Sequence, residues 1–181
     1  PYLDNPEPAE IITIAHHILG TGQLSLCKYL FITAEYDGKV PSCHNVAEFI
    51  QYILERIDLS RDVHFYTNTP HDTLDYTGIS LNKGSKMVLA AYGRKKRELS
   101  NEISSQIKSL TTFFNPQCVF PGVLVLQGKR FENYETTKKE ISDFENEIKE
   151  KNIDLNGFPL IVITDDSNYT AQHINNWLWI T

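Results

Sequence analysis

Tyr29-Leu30-Phe31-Ile32-Thr33, Asn45 to Ile57, and Asp62-Val63-His64-Phe65-Tyr66-Thr67 follow one another in the first third of the chain. The first is a short continuous apolar run, which suits a strand buried on both faces. The second repeats apolar residues at Val46, Phe49, Ile50, Ile53, Leu54 and Ile57, the stripe of an amphipathic helix. The third is rich in β-forming residues and reads as the next strand. Strand, helix, strand is the signature of an α/β fold. The same alternation continues along the chain.

Before this stretch, Pro6 to Gly20 carries Ile11, Ile14, Ala15, Ile18 and Leu19 at helical spacing, with Gly20 and Gly22 to stop the helix. After it, Met87 to Tyr92 is a buried strand, Arg94 to Phe114 a long helix, Val123 to Leu126 a strand, and Thr136 to Lys151 a charged helix. That helix has a thin seam at Ile141, Phe144 and Ile148. Its Glu145–Lys149 and Glu147–Lys151 pairs have the favourable order, and its charges suit a solvated face. Leu160 to Thr164 is the last strand. Asp165-Asp166 then caps a terminal helix running to Ile180. The pattern predicts an α/β fold with a mostly parallel sheet flanked by helices. Leu30 to Glu35 and Ile161 to Asp166 echo each other, which suggests a repeated strand–acidic turn–helix unit, arisen by duplication or by convergence.

The composition bounds the function. The 181 residues hold 17 Lys+Arg against 23 Asp+Glu, a net charge of −6, so no basic surface invites nucleic acid. No apolar run approaches the roughly 20 residues of a membrane helix. Cys27, Cys43 and Cys118 lie far apart and read as reduced, buried thiols of a cytoplasmic protein. The chain starts at Pro1 and stops inside an apolar helical segment, as a fragment of a longer protein would.

The familiar signatures G-x-G-x-x-G, G-x-x-x-x-G-K-[ST], G-x-S-x-G and H-E-x-x-H are missing. The six histidines do not cluster with cysteine or carboxylate at ligand spacing. Two segments stand out instead. The loop Asn68-Thr69-Pro70-His71-Asp72-Thr73-Leu74-Asp75-Tyr76 follows a strand and is dense in polar side chains. Ligands bind at strand ends in open α/β sheets, so the loop is a candidate site wall. The alternative is that its Asn, Asp and Thr side chains satisfy the loop's own backbone. Gly84-Ser85-Lys86-Met87 pairs a permissive glycine with a lysine that can meet an anion.

These blocks, with Lys28-Tyr29 at the first strand and Asp58-Leu59-Ser60-Arg61-Asp62 ahead of the polar loop, resemble the C-terminal region of UbiD-type decarboxylases, which include the 3-polyprenyl-4-hydroxybenzoate carboxy-lyases. The resemblance is best from about Leu26 to Tyr92, and Phe158 to Thr181 looks like a second copy of the family's strand–Asp-Asp–helix unit. Three departures accompany it. Ala34-Glu35-Tyr36 stands where the family has aspartates. Val88 to Tyr92 replaces its Gly and Asp-Ala-Thr. Arg94 to Asn156 has no counterpart in shorter members.

The resemblance implies that 1–181 is the C-terminal α/β domain of a longer enzyme, with a core at 1–93, an insertion at 94–157 and the start of a repeated unit at 158–181. It implies a non-oxidative decarboxylase of the ubiquinone-biosynthesis type, acting on aromatic or α,β-unsaturated acids with prenylated FMN and a divalent metal. The catalytic Glu-Arg-Glu set and the metal ligands belong to an N-terminal flavin-binding domain, so the fragment alone is expected to be inactive and to bind no cofactor. The domain would cover the active site and support a homo-oligomer. The expected wall residues are Asn68, Thr69, Pro70, Asp72, Asp75, Gly84 and Ser85. Lys28 and Lys86 are the candidates for a cofactor contact. The competing reading is a non-catalytic oligomerisation or interaction module.

Overall fold

The computed structural model describes residues 8–75 and 80–181. Tyr76, Thr77 and Gly78 of the polar loop lie outside the described residues, as do Pro6 and Glu7, where the sequence places the start of the first helix. The chain divides into two compact units, one ending at Lys96 and one spanning Arg97–Thr181.

The first unit holds α1 (Pro8–Leu19), a 3-10 turn (Gly22–Leu26), β1 (Tyr29–Ile32), α2 (Val46–Leu54), β2 (Val63–Thr69) and β3 (Gly84–Ala90). Asn45 caps α2 by accepting from the Glu48 amide. The strand order is β1-β3-β2, with β1 parallel and β2 antiparallel to the central β3. Successive side chains of β3 point to opposite faces. Val88 and Ala90 therefore meet Ile11 and Ala15 of α1, while Leu89 and Ala91 meet Ile53 of α2 and Ile57. Three layers result, helix on sheet on helix.

The second unit holds α3 (Ser105–Lys108), β4 (Phe114–Phe120), β5 (Val123–Gln127), α4 (Tyr134–Glu150), β6 (Leu160–Thr164), α5 (Ser167–Gln172) and α6 (Ile174–Ile180). Its order is β4-β5-β6, with β4 antiparallel and β6 parallel to β5. Leu124 and Leu126 pack with Ile107, Leu110, Phe113, Phe144 and Phe158 on one face. Asp166 caps α5 by accepting from the Tyr169 amide, as the acidic pair predicts. Among the described residues no helix is long and apolar enough to cross a membrane.

The α/β class holds, but several expectations are corrected. The sheets are two, small and mixed rather than one mostly parallel sheet. The repeated unit is not supported. A turn closed by Tyr36 and Lys39 separates β1 from α2, whereas β6 runs almost directly into α5. β1 is an edge strand with an exposed Tyr29, not a strand buried on both faces. The helix expected over Arg94–Phe114 shrinks to Ser105–Lys108. Its serines bond to nearby backbone instead: Ser104 caps α3, and Ser100 bonds both ways with the Glu102 backbone. Ser100 also joins the Gly157 carbonyl and the Gly122 amide through its backbone. The terminal helix breaks at His173, whose backbone is extended. None of the cysteines is fully buried.

Candidate functional site

The site begins with one irregularity in β2. Tyr66 pairs with Lys86 and Thr69 with Gly84, so three steps on β2 oppose two on β3. An extra residue of this kind makes a bulge and bends the strand. Asn68 absorbs it in the left-handed region, with φ of 55°, where asparagine is among the better-tolerated side chains. The bend sends Pro70 and His71 back across the start of β3.

Gly84 and Lys86 both hold the returning chain. A Cβ on Gly84 would lie 2.7 Å from His71 Nδ1, so the missing side chain is what lets the imidazole pack there. Lys86 is 6% exposed, and its Nζ donates to the carbonyls of Pro70 at 2.5 Å and Cys27 at 3.2 Å. It ties the loop to the residue just before Lys28. A buried ammonium needs such acceptors. The two sequence blocks are thus one piece of architecture at one rim of the sheet.

His71 is 3% exposed, and its Nδ1 lies 3.3 Å from Asp75 Oδ2. The same carboxylate oxygen lies 3.9 Å from Lys28 Nζ. Lys28 remains partly exposed and sits 5.1 Å from the Tyr29 ring centroid, within cation–π range. Among the described residues, two buried atoms here lack a hydrogen-bond partner: His71 Nε2 and Thr69 Oγ1. Such atoms are uncommon in folded proteins and mark where a ligand can contribute.

Of the expected wall residues, Thr69, Asp75 and Gly84 join this cluster, and Pro70 joins through its carbonyl. Asp72 does not. Its Oδ1 accepts from the Leu74 amide, so it shapes the loop's own turn. Asn68 is exposed at the bulge. Ser85 is exposed, and strand alternation turns it to the other face of β3. His71 is the residue that sequence reasoning missed, although it stands four positions before Asp75 in the quoted loop.

Elsewhere, the charged face of α4 hides one buried acid. Glu147 accepts from the Thr111 amide and hydroxyl, the Thr112 amide and Lys151. Burial pushes its pKa up, but Lys151 and the threonine donors outweigh this and hold it at about 2. Among the described residues no group of three or more His, Cys, Asp or Glu is placed to hold a metal ion. An open cleft of about 330 Å³ lies between β4 and α5, lined by residues that include Gln117, Cys118, Asn168 and Tyr169.

Residues 2–91 match the family described as the 3-octaprenyl-4-hydroxybenzoate carboxy-lyase C-terminal domain. Over 172 residues the chain is 35% identical to an uncharacterized protein of Chlamydia caviae, covering 95% of this chain and 27% of that protein. It is also 35% identical to a 4-hydroxybenzoate decarboxylase subunit of Chlamydia pneumoniae, covering 95% of this chain and 26% of the relative. The chain therefore spans about a quarter of the length of these curated relatives. Among solved structures, the open form of Sedimentibacter hydroxybenzoicus vanillic acid decarboxylase aligns with 78% of this chain and 24% of its own, at 15% identity and a TM-score of 0.41. The chain belongs to the UbiD-type carboxy-lyase family, whose C-terminal domain it carries over residues 2–91.

Proposed function

We propose that this chain is the C-terminal domain of a prenylated-FMN-dependent, non-oxidative decarboxylase of aromatic or α,β-unsaturated carboxylic acids. The observation that carries the reading is the match of residues 2–91 to the carboxy-lyase C-terminal domain. The site at the rim of the first sheet supports it. The remainder of the longer protein supplies the flavin-binding domain, the catalytic acids and the divalent metal. The assembled enzyme is a cytoplasmic homo-oligomer.

The two candidate lysines differ in their fitness for a cofactor. Lys86 points its ammonium into two backbone carbonyls and serves as a clamp. Lys28 is partly exposed, and among the described residues its ionic partner, Asp75, is distant at 3.9 Å. Lys28 is thus the residue that fits an anionic oxygen of the cofactor phosphate. The flavin, when bound, supplies a conjugated system that accepts the electron pair left by departing CO2. This chain's share is to hold an anionic end and to wall the site. Excluding water strengthens the electrostatic contacts inside such a site.

The test is to express the full-length protein, load it with prenylated FMN and measure CO2 release from a panel of aromatic and α,β-unsaturated acids. Decarboxylation of at least one class is expected. A folded full-length protein that binds no flavin would overturn the proposal and favour a non-catalytic module.

A further inference from the structure

The second unit carries a cleft that the decarboxylase reading leaves unused. It lies between β4 and α5 and holds about 330 Å³, with Gln117 and Cys118 on one side and Asn168, Tyr169, Ala171 and Gln172 on the other. That volume falls at the lower end of ligand sites, which begin at roughly 300 Å³. None of these side chains is charged. The Cys118 thiol donates to the Phe120 carbonyl, and burial pushes its pKa up, so it too stays neutral.

The strand side of the cleft is shaped by two bulges. Among the described residues only β5 pairs with β4, which leaves β4 one free edge. From Phe114 to Gln117 three steps on β4 oppose two on β5, and from Cys118 to Phe120 two steps oppose one. Gln117 and Cys118 are therefore the two regular positions between the irregularities, paired with Val125 and Leu124. Successive residues of an antiparallel strand turn their N–H and C=O to opposite edges, so one of these two offers a donor and an acceptor together at the free edge. Consecutive side chains point to opposite faces of a sheet, and both line the cleft because it runs along that edge.

Asn115 holds the two sides in place. Its backbone is left-handed, with φ of 49°, and its carbonyl accepts from Ser167 Oγ at 2.7 Å, which ties the start of α5 to β4. Its side chain donates to Gln127 Oε1 and accepts from Gln117 Nε2, so the Gln117 amide has its nitrogen engaged and its oxygen available as an acceptor. Across the cleft, the exposed carboxamides of Asn168 and Gln172 stand four residues apart, hence side by side on α5. The half-exposed Tyr169 ring adds an aromatic wall.

We propose that this cleft binds the base of an adenine nucleoside or nucleotide. Asn and Gln carboxamides bond bidentately to the adjacent amino group and ring nitrogen of adenine. The strand edge supplies a second donor–acceptor pair, and a tyrosine ring supplies a face on which a base stacks. The two bulges disfavour the rival ligand, an extended peptide, because strand addition needs an uninterrupted edge. No lining side chain is cationic, so phosphates contribute little to binding.

The experiment uses the full-length protein with adenosine, AMP and purine riboside, the nucleoside that lacks the amino group. By calorimetry, adenosine and AMP should bind alike, and purine riboside about tenfold more weakly for want of a bidentate contact. Alkylation by iodoacetamide, mapped by peptide mass, locates the site without a variant. Saturating adenosine should slow modification of Cys118 and leave the exposed Cys43 unaffected. Asn168→Ala combined with Gln172→Ala alters only exposed side chains and should weaken adenosine binding about tenfold. Failure of adenosine to bind, unchanged alkylation of Cys118, or wild-type affinity in the folded double variant would each overturn the assignment. Purine riboside binding as tightly as adenosine would overturn the adenine reading, as would AMP binding far more tightly than adenosine and weakening with salt, the mark of a phosphate site.

Discussion

The two sheets share one plan and differ in what their central strands carry. Each central strand has one parallel and one antiparallel neighbour. In the second unit, Val123, Leu124, Val125 and Leu126 are all 0% exposed, so β5 is apolar on both faces. In the first unit, β3 opens with Gly84-Ser85-Lys86 and becomes apolar only afterwards. The buried charge of the second unit, Glu147, has a donor for each of its oxygens. At the rim of the first, His71 Nε2 and Thr69 Oγ1 have none among the described residues. An unsatisfied buried polar atom costs about 1–3 kcal/mol. The second of these strands is a packed scaffold, and the first carries the candidate site at its end.

The sharpest test of that contrast is Leu124→Ala. It empties the middle of a fully buried strand and should cost about 3 kcal/mol in urea unfolding. A loss below about 1 kcal/mol would mean that β5 is not the packed centre of its unit.

Gly84→Ala probes the other strand. Its Cβ would crowd the imidazole, so a loss of about 2 kcal/mol is expected, together with disruption of the His71–Asp75 contact in imidazole spectra. An unperturbed His71 signal would contradict the packing.

Glu147→Gln separates a satisfied buried charge from an unsatisfied site. It should cost about 2 kcal/mol at neutral pH, because the amide replaces a charged acceptor of four donors. The sign with pH follows from the lowered pKa. The stabilisation from Glu147 is complete above its ordinary value of 4.5 and is lost as pH falls toward about 2. The variant should therefore show a flatter acid limb in unfolding measured across that interval.

The smallest effect concerns the bulge. Asn68→Ala forces a side chain with no local polar bonding into the left-handed region and should cost about 1 kcal/mol. Asn68→Gly should cost less, since glycine enters that region freely. Thermal melts of both variants would rank them, and equal losses would argue against the bulge conformation.

Much of this is legible in the residues. Asn45 and the stripe to Ile57 foretell α2, and Asp166 foretells the cap of α5, because both rest on local rules of periodicity and capping. The segment from Arg94 to Phe114 defeats a local reading because helical spacing of Leu99, Ile103 and Ile107 also serves a chain draped over a core. Its serines and its backbone bonds to Gly122 and Gly157 decide otherwise, and the second of these partners is distant in sequence. Strand direction is also hidden, since pairing depends on partners that local pattern does not name. At the site, the polar loop and Gly84-Ser85-Lys86 each stand out in the sequence. The particular contacts do not: that Lys86 is a clamp, that Gly84 makes room for an imidazole, and that His71 rather than Asp72 faces Asp75. Those follow from a one-residue bulge, which shifts the side chains beyond it relative to β3.

The central claim is that Lys28, released from the clamp role that Lys86 fills, offers its charge to the cofactor. The most direct measurement is flavin retention by the full-length protein carrying Lys28→Ala, compared with Lys28→Arg and the wild type. Flavin affinity is expected to fall about tenfold or more in the alanine variant and to recover largely with arginine, which keeps the charge. Wild-type flavin retention by a folded Lys28→Ala protein would contradict it.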